Sequence, residues 1–178
     1  MEINTIELLS VGIDVGSSTT HLVFSNLVLL RDEKSSSRRF RIEKRNVIYE
    51  GMIISTPLLD NDTIDLNKLT AFVKEECERA GIDPADIQTG AVIVTGETAR
   101  KHNAKQIAEA LSKDAGKFVA ATAGPNFESL LAAMGSGATA RSKDTGKTIL
   151  SCDIGGGTSN MAISINGEVV STSCISVG

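Results

Sequence analysis

The chain has 178 residues, of which 41% are apolar and 22% are charged, and its formal net charge is -4. A chain of this length and composition can bury a hydrophobic core and forms one domain or slightly more. Because acidic and basic residues are mixed along an acidic chain, the composition argues against nucleic acid as the main partner.

We expect neither export nor a membrane span. Residues 1–10 contain two acidic residues and no basic one, unlike the start of a secretory signal. The longest apolar stretch, 21–30, is interrupted by polar residues and is shorter than the roughly 20 residues of a membrane helix. The three cysteines, Cys77, Cys152 and Cys174, include no CxxC pair. That set is typical of a reducing cytoplasm, so we predict a cytoplasmic protein.

The first half of the chain predicts a hairpin, a third strand and a helix. Two apolar runs, 8–15 and 20–30, are joined by a glycine-rich turn, which is typical of a β-hairpin. The alternating stretch 39–54 predicts a third strand, in one or two pieces. Residues 65–80 place apolar side chains at helical spacing, and Gly81 follows where a helix C-cap is expected.

The middle of the chain alternates strands with helices. We predict a strand at 90–94, a helix at 98–113, a strand at 118–122 and a helix at 128–140. The resulting order is βββαβαβα, which predicts an α/β domain. Its mixed sheet should contain parallel strands that helices cover on both faces.

The last part of the chain repeats the opening pattern. The polar segment 141–147 predicts a boundary between a first domain, 1–143, and the start of a second, incomplete domain, 144–178. Three strands are predicted between residues 148 and 175, with a tight turn at Asn166-Gly167. Because exposed strand edges pair readily, this apolar segment favours a homodimer.

An internal repeat relates the two parts of the chain. Leu9–Thr20 reads LSVGIDVGSSTT, and Ile149–Asn160 reads ILSCDIGGGTSN. In both segments a strand ends in aspartate, an aliphatic residue and glycine, and hydroxyl residues follow. We infer that the two halves face one ligand.

These two turns have the chemistry of a phosphate site. Glycines let backbone N–H groups approach phosphate oxygens closely, and serine and threonine hydroxyls add donors. The carboxylates of Asp14 and Asp153 would repel phosphate unless a hard cation lies between them. Mg²⁺ is commonly held by one or two carboxylates together with substrate phosphates. The pattern therefore predicts a site for Mg²⁺ and a phosphorylated ligand, where positioning and charge neutralisation supply most of the catalysis.

Two common nucleotide motifs are absent from the two turns. Neither turn has Walker A spacing, because no Lys-Ser or Lys-Thr follows its glycines. Gly146-Lys147-Thr148 has only the ending of that motif, since Arg141 stands where its first glycine is required. No GxGxxG signature occurs in either turn, which disfavours a Rossmann dehydrogenase.

The two turn motifs resemble the phosphate-1 and phosphate-2 motifs of the actin/Hsp70/sugar-kinase superfamily. The resemblance spans essentially the whole chain. In that superfamily two ribonuclease-H-like domains enclose Mg-ATP, so the resemblance implies an actin-like ATPase fold with ATP and Mg²⁺ as cofactors.

The resemblance also implies roles for individual residues. Asp14 and Asp153 would hold the metal and act in catalysis, together with Glu128. Eight residues of the two turns would contact the phosphates: Gly16, Ser17, Ser18, Thr19, Gly155, Gly156, Gly157 and Thr158. Asn160 stands where Hsp70 proteins have a second acid, which puts Hsp70-like protein folding in doubt.

Within the superfamily, three longer stretches resemble the ethanolamine ammonia-lyase reactivating factors. They read VTGETARKHNAKQIAEAL, FVAATAGPNFESLLAAMGSGA and LSCDIGGGTSNMAISING. The resemblance implies a chaperone-like, ATP-dependent exchange of damaged for intact cobalamin in ethanolamine ammonia-lyase, which would be the partner. It leaves open whether the protein associates with a bacterial microcompartment.

Two other functions of the superfamily stay open from the sequence. A small-molecule kinase would need a substrate-side acid and inserted binding elements that we do not find. A filament-forming actin relative would show nucleotide-dependent assembly. Because the second domain is predicted to be incomplete, we expect weak phosphate binding and poor ATP turnover from this chain alone.

Overall fold

The structure is a computed structural model that describes residues 4–31, 39–60, 63–95, 103–113, 118–122 and 124–178. It contains a large mixed sheet, a small three-stranded sheet and a two-stranded ribbon. The strands are β1 (Thr5–Val15), β2 (Thr19–Arg31), β3 (Phe40–Glu50), β4 (Ile54–Ser55), β5 (Leu58–Asp60), β6 (Thr63–Ile64), β7 (Thr89–Val94), β8 (Phe118–Thr122), β9 (Ile149–Ile154), β10 (Ser159–Ile165) and β11 (Glu168–Ile175). The helices are α1 (Leu66–Ala80), α2 (Ala104–Lys113), α3 (Pro125–Gly135) and α4 (Ala138–Thr145).

The large sheet has the strand order β3-β2-β1-β7-β8, and β4 pairs with the start of β2. The pairs β1–β2 and β2–β3 are antiparallel, whereas β1–β7 and β7–β8 are parallel. The predicted mixed sheet is therefore confirmed. The third strand predicted at 39–54, in one or two pieces, is β3 followed by β4. The prediction omitted β5 and β6, because strands of two or three residues are too short to show a periodicity. The predicted helix at 98–113 is described only from Ala104, since residues 96–102 lie outside the described residues.

One face of the large sheet carries the hydrophobic core. Alternate residues of three strands pack there against α1 and α2. They are Val11, Ile13, Val15, Leu22, Phe24, Val92 and Val94 from the strands, and Leu69, Phe72, Ile107 and Leu111 from the helices. This core fixes the strand ends that carry the predicted site.

The opposite face of the sheet is open among the described residues. It forms a groove of about 520 Å³ whose lining includes Gly12, Val23, Leu27, Val47 and Ala91. Helices on both faces were predicted, but α1 and α2 share one face. The continuous apolar runs of β1 and β2 suggested burial on both sides, although the second face is built largely from small or part-exposed residues.

Helix α1 begins and ends where the sequence predicts. The side chain of Asp65 accepts a hydrogen bond from the N–H of Lys68 at 3.1 Å, which caps the first turn. Gly81 ends the helix in the left-handed conformation, with φ 67°, and its N–H is directed to the last carbonyl groups of the helix. Both caps satisfy backbone groups that a helix end leaves unpaired.

Replacing Gly81 by alanine is expected to lower the free energy of unfolding by about 1 kcal/mol, because only the backbone conformation resists the new Cβ. No atom lies within 4 Å of that Cβ. Gly135, in α3, is the matched control. Its Cβ would also meet nothing within 4 Å, and its φ is not positive. Gly135→Ala should be neutral or stabilising in urea denaturation, and equal losses in the two variants would contradict the explanation.

The helix predicted at 128–140 is two helices. α3 and α4 are separated at Gly137, which has a φ of 78°. The leucine, alanine and methionine residues of this stretch favour helix throughout, and they conceal the break that the left-handed glycine imposes. The polar segment 141–147 was predicted as a boundary, but α4 continues through it to Thr145. The division of the chain near residue 143 stays a prediction.

The small sheet has the order β11-β10-β9 and is antiparallel, as predicted. α3 and α4 pack against one of its faces. The predicted turn between β10 and β11 is confirmed, because Asn166 and Gly167 have φ values of 51° and 89°. The longest described helix, α1, has 15 residues, and no described helix has the length and apolarity that crossing a membrane requires.

Candidate functional site

The two glycine turns close through the same backbone hydrogen bond. The N–H of Gly16 donates to the carbonyl oxygen of Thr19 at 2.9 Å, and the N–H of Gly155 donates to that of Thr158, also at 2.9 Å. The strand registers match as well, since Val15 pairs with Thr20 and Ile154 pairs with Ser159 in the two hairpins. The internal repeat of the sequence is therefore a repeat of structure.

The tips of the two turns are in contact. A Cβ atom on Gly156 would overlap the side chain of Ser18. None of the glycines in the two turns has a positive φ. The glycines of these turns were predicted to let the backbone approach phosphate closely. In this structure Gly156 instead lies close to Ser18. A ligand held by both turns would have to separate them.

The predicted site residues differ in their exposure. Ser18 and Thr19 are exposed at the first turn, whereas Ser17 is half-buried. At the second turn Gly155 and Gly156 are exposed, and Gly157 is half-buried. Thr158 is buried, unlike its counterpart Thr19. The first turn therefore offers hydroxyl groups to solvent, and the second offers mainly backbone.

Glu128 and Asp153 both lie close enough to Asp14 for their charges to act on it. The pKa of Asp14 is raised above its ordinary value, first by burial and then by the charges of Glu128 and Asp153. A hydrogen bond from Thr95 and the nearby His21 act in the opposite direction. The Asp14 side chain is nevertheless exposed to solvent. Neighbouring groups therefore crowd this carboxylate without enclosing it completely. Two strand ends and one helix thus bring the acids together.

The donor set fits a hard cation that keeps other ligands. Among the described residues, no three His, Cys, Asp or Glu side chains are grouped so as to hold a metal ion by themselves. Mg²⁺ needs no such cage, because it binds through one or two carboxylates and completes its coordination with water and phosphate oxygens. Asp14 and Asp153 can supply those carboxylates, and a cation there would offset the repulsion of the Asp14 carboxylate by Glu128 and Asp153.

Two residues that the sequence analysis missed hold the first turn. The N–H of Thr95 donates to the carbonyl oxygen of Val15 at 3.1 Å, and its hydroxyl donates to Asp14 Oδ1 at 3.3 Å. Thr95 follows β7, which is parallel to β1, so the rule that parallel strands end at one edge could have found it. Thr56 contacts the same turn from the segment after β4, and no local pattern in the sequence indicates it.

The second turn is tied to the helix that carries Glu128. Ser129 is buried in α3, and its hydroxyl donates to the carbonyl oxygen of Pro125 at 2.9 Å. The same oxygen atom lies 3.4 Å from Asn160 Oδ1 and 3.2 Å from the carbonyl oxygen of Ser173. Asn160 Nδ2 donates to the hydroxyl of Thr158 at 3.4 Å. Asn160 is itself buried, so its amide joins the helix to the turn.

Comparison with known proteins adds a family to this geometry. The sequence model for ethanolamine utilisation protein EutA matches residues 6–178. The chain is 40% identical over 176 residues to the ethanolamine ammonia-lyase reactivase EutA of Salmonella typhimurium (strain LT2), which is 98% of this chain and 38% of that protein. It is 39% identical, with the same coverage, to the reactivase of that name from Escherichia coli (strain K12).

Solved structures support the fold. The Ppx/GppA enzyme of Aquifex aeolicus aligns with 97% of this chain and 54% of its own, with a TM-score of 0.60 and 17% identity. The predicted α/β class with a mixed sheet is confirmed, and the likeness to this structure shows the fold alone. The chain spans 38% of the length of the two curated relatives. With a match over residues 6–178, it belongs to the family of ethanolamine utilisation protein EutA.

Proposed function

We propose that this chain supplies nucleotide-binding elements of an ATP-dependent reactivase of cobalamin-dependent ethanolamine ammonia-lyase. The observation that carries the proposal is the pair of Asp-x-Gly turns, which have the same closing hydrogen bond and meet tip to tip. Two relatives at 40% and 39% identity bear the name ethanolamine ammonia-lyase reactivase. Family and site therefore support the same activity.

In this proposal both turns contact the phosphates of one Mg-ATP. Asp14 and Asp153 would hold the cation, which would offset their charge and that of the phosphate oxygens. Backbone N–H groups and hydroxyls of 16–19 and 155–158 would bind the phosphates. Glu128 would act in catalysis, since it lies close enough for its negative charge to raise the pKa of Asp14.

In this proposal, reactivation depends on a change in the distance between the two glycine turns. Because Ser18 lies against Gly156, phosphates can enter between the tips only if the two halves of the chain move apart. A nucleotide that favours one separation over another shifts the equilibrium between the two arrangements. We propose that this hinge lies near the division at residue 143. In the cytoplasm it would open the lyase, so that intact cobalamin replaces the damaged cofactor.

Calorimetric titration of Mg-ATP and Mg-ADP into the chain tests the site. The Asp14→Ala, Asp153→Ala double variant is expected to bind at least about a hundredfold more weakly, because two charge-assisted contacts are lost. Glu7 and Asp86 are exposed and lie outside both turns, so their double alanine variant is the charge-matched control. Equal affinity in the site variant and the wild type would overturn the proposed site.

The reactivation itself needs a second measurement. The assay mixes Mg-ATP and adenosylcobalamin with lyase that holds damaged cobalamin. The added reactivating protein contains this chain and has the length of the curated relatives. Recovery of deamination that requires ATP and is lost in the Asp14→Ala, Asp153→Ala variant would support the function. Recovery that proceeds equally without ATP would contradict it.

A further inference from the structure

One buried threonine binds two carbonyl groups of the first turn from 40 residues away. The hydroxyl of Thr56 donates to the carbonyl oxygen of Gly16 at 2.7 Å, and its N–H donates to the carbonyl oxygen of Ser18 at 2.9 Å. Thr20 Oγ1 lies 3.0 Å from Thr56 Oγ1. A hydroxyl has one hydrogen, and that of Thr56 is used on Gly16, so Thr20 must be the donor in this pair. Thr56 is 8% exposed, so water does not substitute for these contacts.

The segment that carries Thr56 is itself fixed at several points. The N–H of Gly51 donates to the carbonyl oxygen of Leu22 at 2.9 Å, and His21 Nε2 lies 3.0 Å from the carbonyl oxygen of Gly51. The N–H of Met52 donates to Glu76 Oε2 at 2.9 Å. Strand β4 then pairs with the start of β2. Thr56 therefore contacts the turn from a rigid support.

The groups that Thr56 binds are those that would oppose an anion. Carbonyl oxygens carry partial negative charge, so a carbonyl directed at a phosphate repels it, whereas N–H groups attract it. The hydroxyl and N–H of Thr56 engage the carbonyl oxygens of Gly16 and Ser18 on the side where Thr56 lies. A turn held in this way cannot rotate those two oxygens toward a ligand without breaking two buried hydrogen bonds.

We propose that Thr56 is a positioning residue for the first phosphate-binding turn. It keeps the carbonyl oxygens of Gly16 and Ser18 directed away from the nucleotide. This role rests on the proposed function, because it assumes that the first turn binds phosphate. The second turn, 155–158, closes through the same Gly-to-Thr hydrogen bond. It therefore serves as an internal reference for any effect on the first turn.

Amide hydrogen exchange measured by NMR without nucleotide tests the contact directly. Thr56→Val keeps the shape of the side chain and removes its hydroxyl, whereas Thr56→Ser keeps the hydroxyl. We expect exchange at Gly16 to be about tenfold faster in the valine variant, unchanged at Gly155, and near the wild-type rate in the serine variant. No change at Gly16, or equal changes at both turns, would overturn the proposal.

Titration of Mg-ATP into the same variants tests the consequence for binding. Affinity should fall about five- to tenfold in Thr56→Val and recover to within about twofold of the wild type in Thr56→Ser. Asn103 is the control outside both turns, because its side chain accepts from the N–H of Ile64 at 3.0 Å and donates to the carbonyl oxygen of Ile64 at 2.8 Å. Asn103→Ala should lower the melting temperature and leave affinity for Mg-ATP unchanged.

The outcomes separate this inference from the function on which it rests. If the wild type binds Mg-ATP and Thr56→Val binds equally well, the positioning role is wrong and the proposed function stands. If neither the wild-type chain nor a protein of the relatives' length that contains it binds Mg-ATP, the proposed nucleotide site fails. In that case exchange at Gly16 still decides whether Thr56 holds the turn.

Discussion

Replacing Glu76 by alanine is expected to lower the free energy of unfolding by about 2–3 kcal/mol. The Glu76 side chain is fully buried, and it accepts hydrogen bonds from the N–H of Met52 at 2.9 Å, from the hydroxyl of Tyr49 at 3.0 Å and from the Arg79 guanidinium. Alanine would leave the Met52 and Tyr49 donors without this acceptor, and each such loss costs about 1–3 kcal/mol. Arg79 is half-exposed, so water can solvate its charge and limit the loss.

Urea denaturation monitored by circular dichroism measures this effect, and a neighbouring acid is the control. Glu75 also pairs with Arg79, at 3.4 Å, but its side chain is 61% exposed. Glu75→Ala should therefore change the free energy of unfolding by no more than about 0.5 kcal/mol. Equal losses in the two variants would show that burial of Glu76 is not the cause.

The same carboxylate should make stability depend on pH. Burial acts to raise the pKa of Glu76, but hydrogen bonds from Met52, Tyr49 and Arg79 outweigh it, and the pKa lies below its ordinary value. The ionised form is therefore favoured more in the folded chain than in the unfolded one. Its contribution is present above about pH 4.3, the ordinary glutamate value, and is lost as the pH falls through the lower folded value. Glu76→Gln should flatten this part of the stability profile.

Replacing Asp14 by asparagine is expected to affect stability and ligand binding in opposite directions. The pKa of Asp14 is raised by burial and by the charges of Glu128 and Asp153. Ionisation at neutral pH therefore costs folding stability, and this cost grows as the pH rises through the window between the ordinary and the raised values. Asparagine removes the charge, so the variant without ligand should melt at a higher temperature than the wild type. The same change should weaken Mg-ATP binding roughly 10- to 100-fold.

Thermal melting with and without Mg-ATP, together with calorimetry, checks both parts. Asp86→Asn, at an exposed carboxylate outside the turns, should change neither melting temperature nor affinity appreciably. An Asp14→Asn variant that melts at a lower temperature than the wild type would contradict the electrostatic explanation. One that keeps wild-type affinity would remove Asp14 from the proposed metal site.

The parts of the fold that could be predicted are those encoded by neighbouring residues. Apolar runs joined by turn residues gave the hairpins, and the C-cap of α1 was readable because Gly81 directly follows a helical pattern. Asp14 and Asp153 could be paired because the two turns repeat each other in the sequence. The family match then agreed with the resemblance carried by those motifs.

The parts that could not be predicted depend on contacts between distant residues. Thr56 reaches the first turn only because the chain returns beside β2 after β3, and no spacing in the sequence encodes that path. The break between α3 and α4 needs only one left-handed glycine, Gly137, in a stretch where other residues favour helix. The open face of the sheet was missed because an apolar run indicates burial without saying what provides it.

The strand order of the large sheet has a consequence for how the chain folds. β9, β10 and β11 are neighbours in sequence, and so are β1 and β2, so these pairings close short loops. The parallel pairing of β1 with β7 joins residues as far apart as Ser10 and Thr89. Closing that longer loop costs more chain entropy before any contact compensates for it. We therefore expect the hairpins to form first, with one edge of β1 unpaired until β7 docks. During synthesis, that interval is when association with other chains is most probable.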